Sequence, residues 1–265
     1  MTADRQPPPA HVCAAFGARA ADAEPLPDGS GWLAGGTVLR PVTDRTYTMW
    51  LSRTLQHIDV PDLRIGKPLR STDGRYVLAG WSAYRHVSGR PEYRVDSVML
   101  AAIKLHQATV DLPRPDFLGA RTDIYARADR MAWEEQDADL TEAGGGRLFE
   151  VLAGARRELT LPDQLVHGDL LGRVLFDGDA APGIVDFSPY FRPAEWGAAI
   201  VAVDAVAWGD ADPELLRRWA HLPEWPQLLL RALLFRIAVH AQHPQSTDAA
   251  FEGLRLAARE VSELL

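Results

Sequence analysis

The strongest constraint on the fold is how the turn-forming residues are distributed along the chain. Up to about residue 80 they recur every few positions, at Pro25-Leu-Pro-Asp-Gly-Ser-Gly31, Gly35-Gly36 and Ser71-Thr-Asp-Gly74. Chain cut that finely holds short strands. Trp32-Leu-Ala34 and Thr37-Val-Leu-Arg-Pro-Val42, joined by Gly-Gly, predict a β-hairpin. Arg75 to Trp81 predicts a further strand. Asp44 to Ile58 predicts a helix, with Trp50, Leu51, Leu55 and Ile58 at helical spacing and Asp44 as its N-cap.

Later in the chain the pattern changes. Val95 to Val110 has helical spacing, and Leu140 to Leu159 has it with an interruption at Gly144-Gly-Gly146. Val110 to Trp133, with Pro113 and Pro115, reads as a connecting or lid-like segment. Three short apolar runs follow Pro162: Gln164 to His167, Val174 to Phe176, and Gly183 to Phe187. Beyond Pro193 the spacing is helical to the end, over about 194–209, 213–221, 225–240 and 247–264. The prediction is an α+β protein with a smaller β-rich part, residues 1–82, and a larger helical part, residues 83–265.

Composition narrows the function. The net charge of −8 argues against a nucleic-acid binder or a protein held on an anionic membrane. The longest apolar stretch, Trp196 to Trp208, is too short to span a bilayer and carries Asp204, so a cytoplasmic protein is expected. One cysteine, Cys13, excludes disulfide frameworks and cysteine-ligated metal clusters, and its apolar surroundings predict a buried structural thiol. Gly-Lys-Ser/Thr and Gly-x-Ser-x-Gly are both absent, which removes a P-loop and the usual esterase elbow. His240 and His243 lie three apart with no evident third ligand and read as a solvated pair. The basic side is lopsided. Of 28 basic residues only Lys67 and Lys104 are lysines, so any lysine-dependent chemistry has two candidates.

The stretch richest in chemistry is His167-Gly-Asp-Leu170, followed by Ile184-Val-Asp-Phe187. Each aspartate ends a short apolar run. A carboxylate that takes a hydroxyl proton, with another that holds a divalent metal, is what phosphoryl transfer needs. The alternative is two turn aspartates capping strand ends.

With His167, Asp169, the intervening Val174-Leu-Phe176 and Asp177-Gly178, and then Asp186, the sequence resembles the aminoglycoside phosphotransferase family, which has a two-lobed protein-kinase-like fold. The order of the β-rich part, the Leu105-His106 helix, the motif and the terminal helices follows the family over most of the chain. The resemblance implies ATP and magnesium as cofactors and a small hydroxylated molecule as the second substrate. It makes Asp169 the catalytic base, His167 a support of the catalytic loop, and Asp186 the metal ligand. Asp204 would anchor that loop from below. Asp28-Gly-Ser-Gly31 has two readings, a loop whose Gly29, Ser30 and Gly31 amides close over phosphates and a plain hairpin turn. Trp81 either flanks an adenine or belongs to the interlobe core, and Tyr190 and Arg192 either bind substrate or lock their loop.

The sequence departs from the family at three places. The Asn that completes metal binding is missing, and its slot holds Arg173, or Val174 if no loop shortening is allowed. The phosphate-holding lysine of the third strand is replaced by Arg40. No glutamate lies in Asp44–Ile58 to pair with Arg40. Arg40 and Arg173 can hold phosphate directly as fixed positive charges. Two functions therefore stay open: a small-molecule O-phosphotransferase, and a pseudokinase that senses nucleotide or binds partners without turnover.

Overall fold

A computed structural model describes residues 6–265. In chain order the elements begin with α1 (Ala10–Ala15), a 3-10 turn (Ala20–Asp22), β1 (Ala23–Pro25), β2 (Trp32–Ala34) and β3 (Thr37–Pro41). They continue with α2 (Arg45–Leu55), β4 (Arg64–Ile65), β5 (Pro68–Leu69), β6 (Val77–Leu78), β7 (Trp81–Arg85) and β8 (Arg90–Pro91). Next come α3 (Val95–Thr109), α4 (Phe117–Ala120), α5 (Ile124–Ala132), α6 (Gly146–Ala153), β9 (Asp163–His167), β10 (Val174–Phe176), β11 (Gly183–Ile184) and β12 (Pro189–Pro193). The chain ends in α7 (Ala194–Trp208), α8 (Glu214–Arg218), α9 (Trp225–Gln242) and α10 (Asp248–Ser262).

These elements form two compact units. The first runs to Arg90 and also takes in Leu175–Asp186; the second comprises Pro91–Val174 and Phe187–Leu265. The expected division at residue 82 is contiguous, whereas the observed one returns to the first unit a second time.

The first unit is built on the antiparallel order β1-β2-β3-β7-β5. Gly35-Gly36 makes the two-residue connection between β2 and β3, with Ala34 opposite Thr37. Strand alternation then separates two faces. On one, Leu39 and Ala83 pack with Val12, Cys13 and Phe16 of the N-terminal helical segment. Cys13 is fully buried there, and burial pushes its thiol pKa up, as suits a structural thiol. Helix α2 is capped as expected, Asp44 Oδ1 accepting from Tyr47 N at 3.0 Å. Lys67 finishes it at the other end, donating to Leu55 O and Ile58 O and pairing with Asp59. The predicted strand Arg75–Trp81 is instead a hairpin, β6 and β7, turning at Ala79 and Gly80. Both turn residues have positive φ, +48° and +79°, the geometry of a tight twisted hairpin. An alanine in that conformation carries no turn signal, which is why the sequence conceals it. Strand β11 pairs in parallel with β4, Ile184 opposite Ile65.

The second unit surrounds α7. Residues Trp196–Val206 of α7 are buried on every side, so this helix is central and α3, α9 and α10 pack around it. Two expectations need correction here. The segment Val110–Trp133 is not a plain lid: Asp123 caps α5 through the amides of Tyr125 and Ala126, and α5 packs on α9. Leu140–Leu159 is helical only over α6, because Gly145 at φ +98° starts the helix and fixes its first turn. Among the described residues, no helix is long and apolar enough to cross a membrane.

Candidate active site

In the second unit the His167-Gly-Asp motif leaves the end of β9 and turns under tight constraint. Strand β9 pairs with β12, and Gly168 N donates to Ser188 O at 2.9 Å. His167 is fully buried. Its ring Nδ1 accepts from Asp169 N at 3.1 Å, so the histidine shapes the loop backbone rather than meeting solvent. Behind it lies His106 of α3, a residue the sequence analysis assigned no role. Its Nε2 accepts from His167 N at 3.0 Å, and its Nδ1 donates to Ala194 O at 2.8 Å. Burial lowers the His106 pKa to about 4, which keeps the ring neutral with the proton on Nδ1. Gly168 is required by packing, since a Cβ there would run into the Tyr190 ring.

Asp169 itself is 39% exposed. On its buried side Arg236 Nη2 donates to Oδ1 at 3.1 Å. Arg236 is fixed in turn by Asp204, Nε to Oδ1 at 2.7 Å and Nη2 to Oδ2 at 2.5 Å. Burial pushes the Asp204 carboxyl up to about 6 while Arg236 opposes the shift, so the pair remains ionised at neutral pH. Burial works against the Arg236 charge, and the two carboxylates more than offset it. Asp204 thus reaches the loop through Arg236. The signal for Arg236 was present in the sequence as a charge inside an apolar helix, which burial allows only with a partner. Arg173 approaches Asp169 from another direction, its Nε 3.7 Å from Oδ2.

Tyr190 and Arg192 are locks. Tyr190 lies among Gly168, Trp196 and Phe235, and burial raises its hydroxyl pKa. Arg192 is buried and forks onto both Asp129 and Glu135. His240 stacks on Phe251 and bonds Thr247 O, so the expected solvated histidine pair is half packed.

In the first unit, Asp186 follows β11 at φ +56°, the left-handed region that Asp tolerates better than most residues. Its carboxylate pairs with Arg40 of β3. Arg40 lies on the sheet face opposite Leu39, because neighbours along a strand alternate. Trp81 shares the Leu39 face and packs, partly buried, on the Cys13 cluster of the first unit. The Gly29–Gly31 segment is a tight turn between β1 and β2. Gly29 N donates to Leu26 O, and Ser30 N to Asp28 Oδ1, so two of its three amides are engaged inside the turn. Gly31 is tied to Arg40 by packing: a Cβ there would lie 2.8 Å from Arg40 Cγ.

The donors for a divalent metal are sparse. Asp186 shares its carboxylate with a guanidinium. Among the described residues, no group of three or more His, Cys, Asp or Glu side chains is placed to hold a metal ion. A magnesium ion asks for an octahedral oxygen shell, and these residues do not fit it.

No protein-family model and no curated protein matches the sequence. Solved structures do match. Spectinomycin phosphotransferase, in complex with ADP and spectinomycin, aligns over 88% of each chain at 13% identity, TM-score 0.55. An amicoumacin kinase, in complex with AMP-PNP, calcium and amicoumacin, aligns over 92% of this chain and 89% of its own at 13% identity, TM-score 0.55. A microcompartment-associated aminopropanol kinase aligns over 95% and 94% at 13% identity, TM-score 0.56. The chain has the fold of the small-molecule kinases. The α+β, two-lobed kinase-like class expected from the sequence is therefore the class observed, with a β-rich unit and a larger helical one. In this kinase-like fold, three arginines pair with the two aspartates: Arg40 with Asp186, Arg173 beside Asp169, and Arg236 beneath Asp169.

Proposed function

We propose that the protein binds ATP and transfers its terminal phosphoryl group to a hydroxyl of a small molecule. The observation that carries this reading is the state of Asp169, whose carboxylate is open to solvent on one side and fixed from beneath by Arg236 and Asp204. A carboxylate held in place but still accessible is suited to orient a hydroxyl and take its proton. In this reading the acceptor oxygen attacks the terminal phosphorus, Asp169 receives the hydroxyl proton, and ADP leaves. Arg40 and Arg173 hold phosphate oxygens by charge-assisted hydrogen bonds. His167 and His106 keep the loop in shape. The ligands of the structural relatives, ADP, AMP-PNP and hydroxylated antibiotics, support the choice of substrates.

A second reading, nucleotide binding without turnover, is favoured by the Arg40–Asp186 pair, which occupies the acid that phosphoryl transfer is expected to use. The two are separated by offering ATP with a panel of hydroxylated acceptors and measuring ADP release. The first reading expects acceptor-dependent release that falls about a thousandfold in Asp169→Asn, with ATP binding retained. ATP binding with no ADP from any acceptor supports the second.

A further inference from the structure

The second unit holds another cluster of charge, away from the Asp169 loop. At its centre is Arg231 of α9, whose side chain is only 4% exposed. A guanidinium so deeply buried calls for a hydrogen-bonded acid. Arg231 has none. Its Nη1 donates to Gln227 Oε1 and its Nη2 to Arg157 O, each at 2.8 Å, and both acceptors are neutral. Its Nε is buried and meets no acceptor among the described residues. Its ion pair is with Glu134 Oε2 at 3.8 Å, beyond hydrogen-bond reach. The Trp133 ring, 5.1 Å from the guanidinium, offsets only part of the charge.

The neighbours do not close the gap. Arg156 spends Nε on Ala153 O and Nη1 on the carbonyls of Met131 and Ala132. Its Nε lies 3.7 Å from Glu134 Oε1, again too far for a hydrogen bond. Arg157 pairs with Glu224 at 2.6 Å. Three arginines thus face two glutamates, and Glu134 stands between two of them bonded to neither. Glu134 is half exposed and sits at a φ of +63°. Burial lowers the Arg231 pKa; Glu134 works against that shift, and the charges of Arg156, Arg157 and Arg192 add to it.

We propose that this cluster is a binding site for a phosphate-sized divalent oxyanion, which displaces the Glu134 side chain and bridges Arg156 and Arg231. The donors are at hand. Among the described residues no hydrogen bond engages Arg156 Nη2, and Arg231 Nη2 has a second proton beyond the one given to Arg157 O. A carboxylate tethered to its own backbone closes on neither cation in the observed geometry. A free tetrahedral ion has no tether and offers more oxygens, the match that guanidinium forks suit best. The site is independent of the nucleotide reading. Trp133 links it to Arg192, which lies opposite Gln164, whereas the Asp169 loop leaves the other end of that ladder, where His167 lies opposite Pro189.

The test is thermal melting of the full chain, followed by circular dichroism, in phosphate up to about 10 mM against sodium chloride of equal ionic strength. A saturable rise of about 2–4 °C in phosphate alone is expected. Glu134→Gln, which removes the competing carboxylate, is expected to lower the half-saturating concentration at least about threefold, and Arg156→Gln to raise it about tenfold. Glycerol 3-phosphate in parallel tells a free ion from the end of a small ester, and a variant-sensitive shift with either supports the site. Should Arg156→Gln fail to fold, the chloride comparison and Glu134→Gln still decide. An equal shift in chloride overturns the inference. So does a phosphate shift unchanged by the substitutions, because general salt stabilisation or binding elsewhere acts alike on every variant.

Discussion

Arg236 ties together two carboxylates of the second unit. It is the shared donor between Asp204, which is buried, and Asp169, which is not. Removing one partner of a buried ion pair strands the other, at a cost of about 3–5 kcal/mol, whereas replacing both by apolar groups is far milder. Arg236→Met is accordingly expected to lower stability by about that amount in denaturant melts, and the double variant Arg236→Met with Asp204→Leu to recover most of it. Recovery of stability without recovery of any ADP release would separate the structural part of the pair from its hold on Asp169. Residues also mark where sequence reading succeeded. Asp169 and Asp186 stand out because each closes a short apolar run, and His167 and Arg40 through the family resemblance. Arg236 and His106 do not, because what distinguishes them is burial, and burial is set by residues far away in the chain.

At the scale of elements, the loop that holds Asp169 is supported by the contact of α3 with α7. His106 of α3 lies against Gly197 of α7, where a Cβ would strike the imidazole Cε1 and lie 3.0 Å from His167 O. Gly197→Ala therefore forces the ring or the helices apart. Overpacking of this kind costs about 1–3 kcal/mol, and the expected result is a lower melting temperature together with weaker support for the Asp169 loop. Melting followed by circular dichroism measures the first, and ADP release the second. The long elements were legible because helical periodicity over fifteen or more residues is redundant: α3, α7, α9 and α10 lie within a few residues of their expected bounds. The short ones were less so. The β6–β7 hairpin turns on Ala79, which carries no turn signal, and α5 follows a proline-containing stretch that reads as a connection.

For the molecule as a whole, the buried His106 couples stability to pH. Its folded-state pKa of about 4 lies below the ordinary value of 6.5, so the unfolded chain binds more protons between those two values. The contribution is fully present above pH 6.5, declines as the pH falls, and is gone below about 4, a total of about 3 kcal/mol. Urea midpoints measured across that range are expected to fall with acidification, and His106→Gln to remove this part of the slope. The scarcity of lysine takes on meaning at the same scale. Lys67 holds the end of α2, and the arginine at position 40 pairs with Asp186.

By itself the sequence determined the class of fold and the position of most long elements, and it singled out the two aspartates as candidates, because turn spacing, hydrophobic period and motif order are local properties of the chain. Only the tertiary structure decided what surrounds those aspartates. It set Arg40 on Asp186, Arg236 under Asp169 and Trp81 against the Cys13 cluster, since counter-ions and sheet faces are assigned by residues distant in sequence. A carboxylate's chemistry follows from its neighbours' charges and from water, and neither can be read from the residue alone.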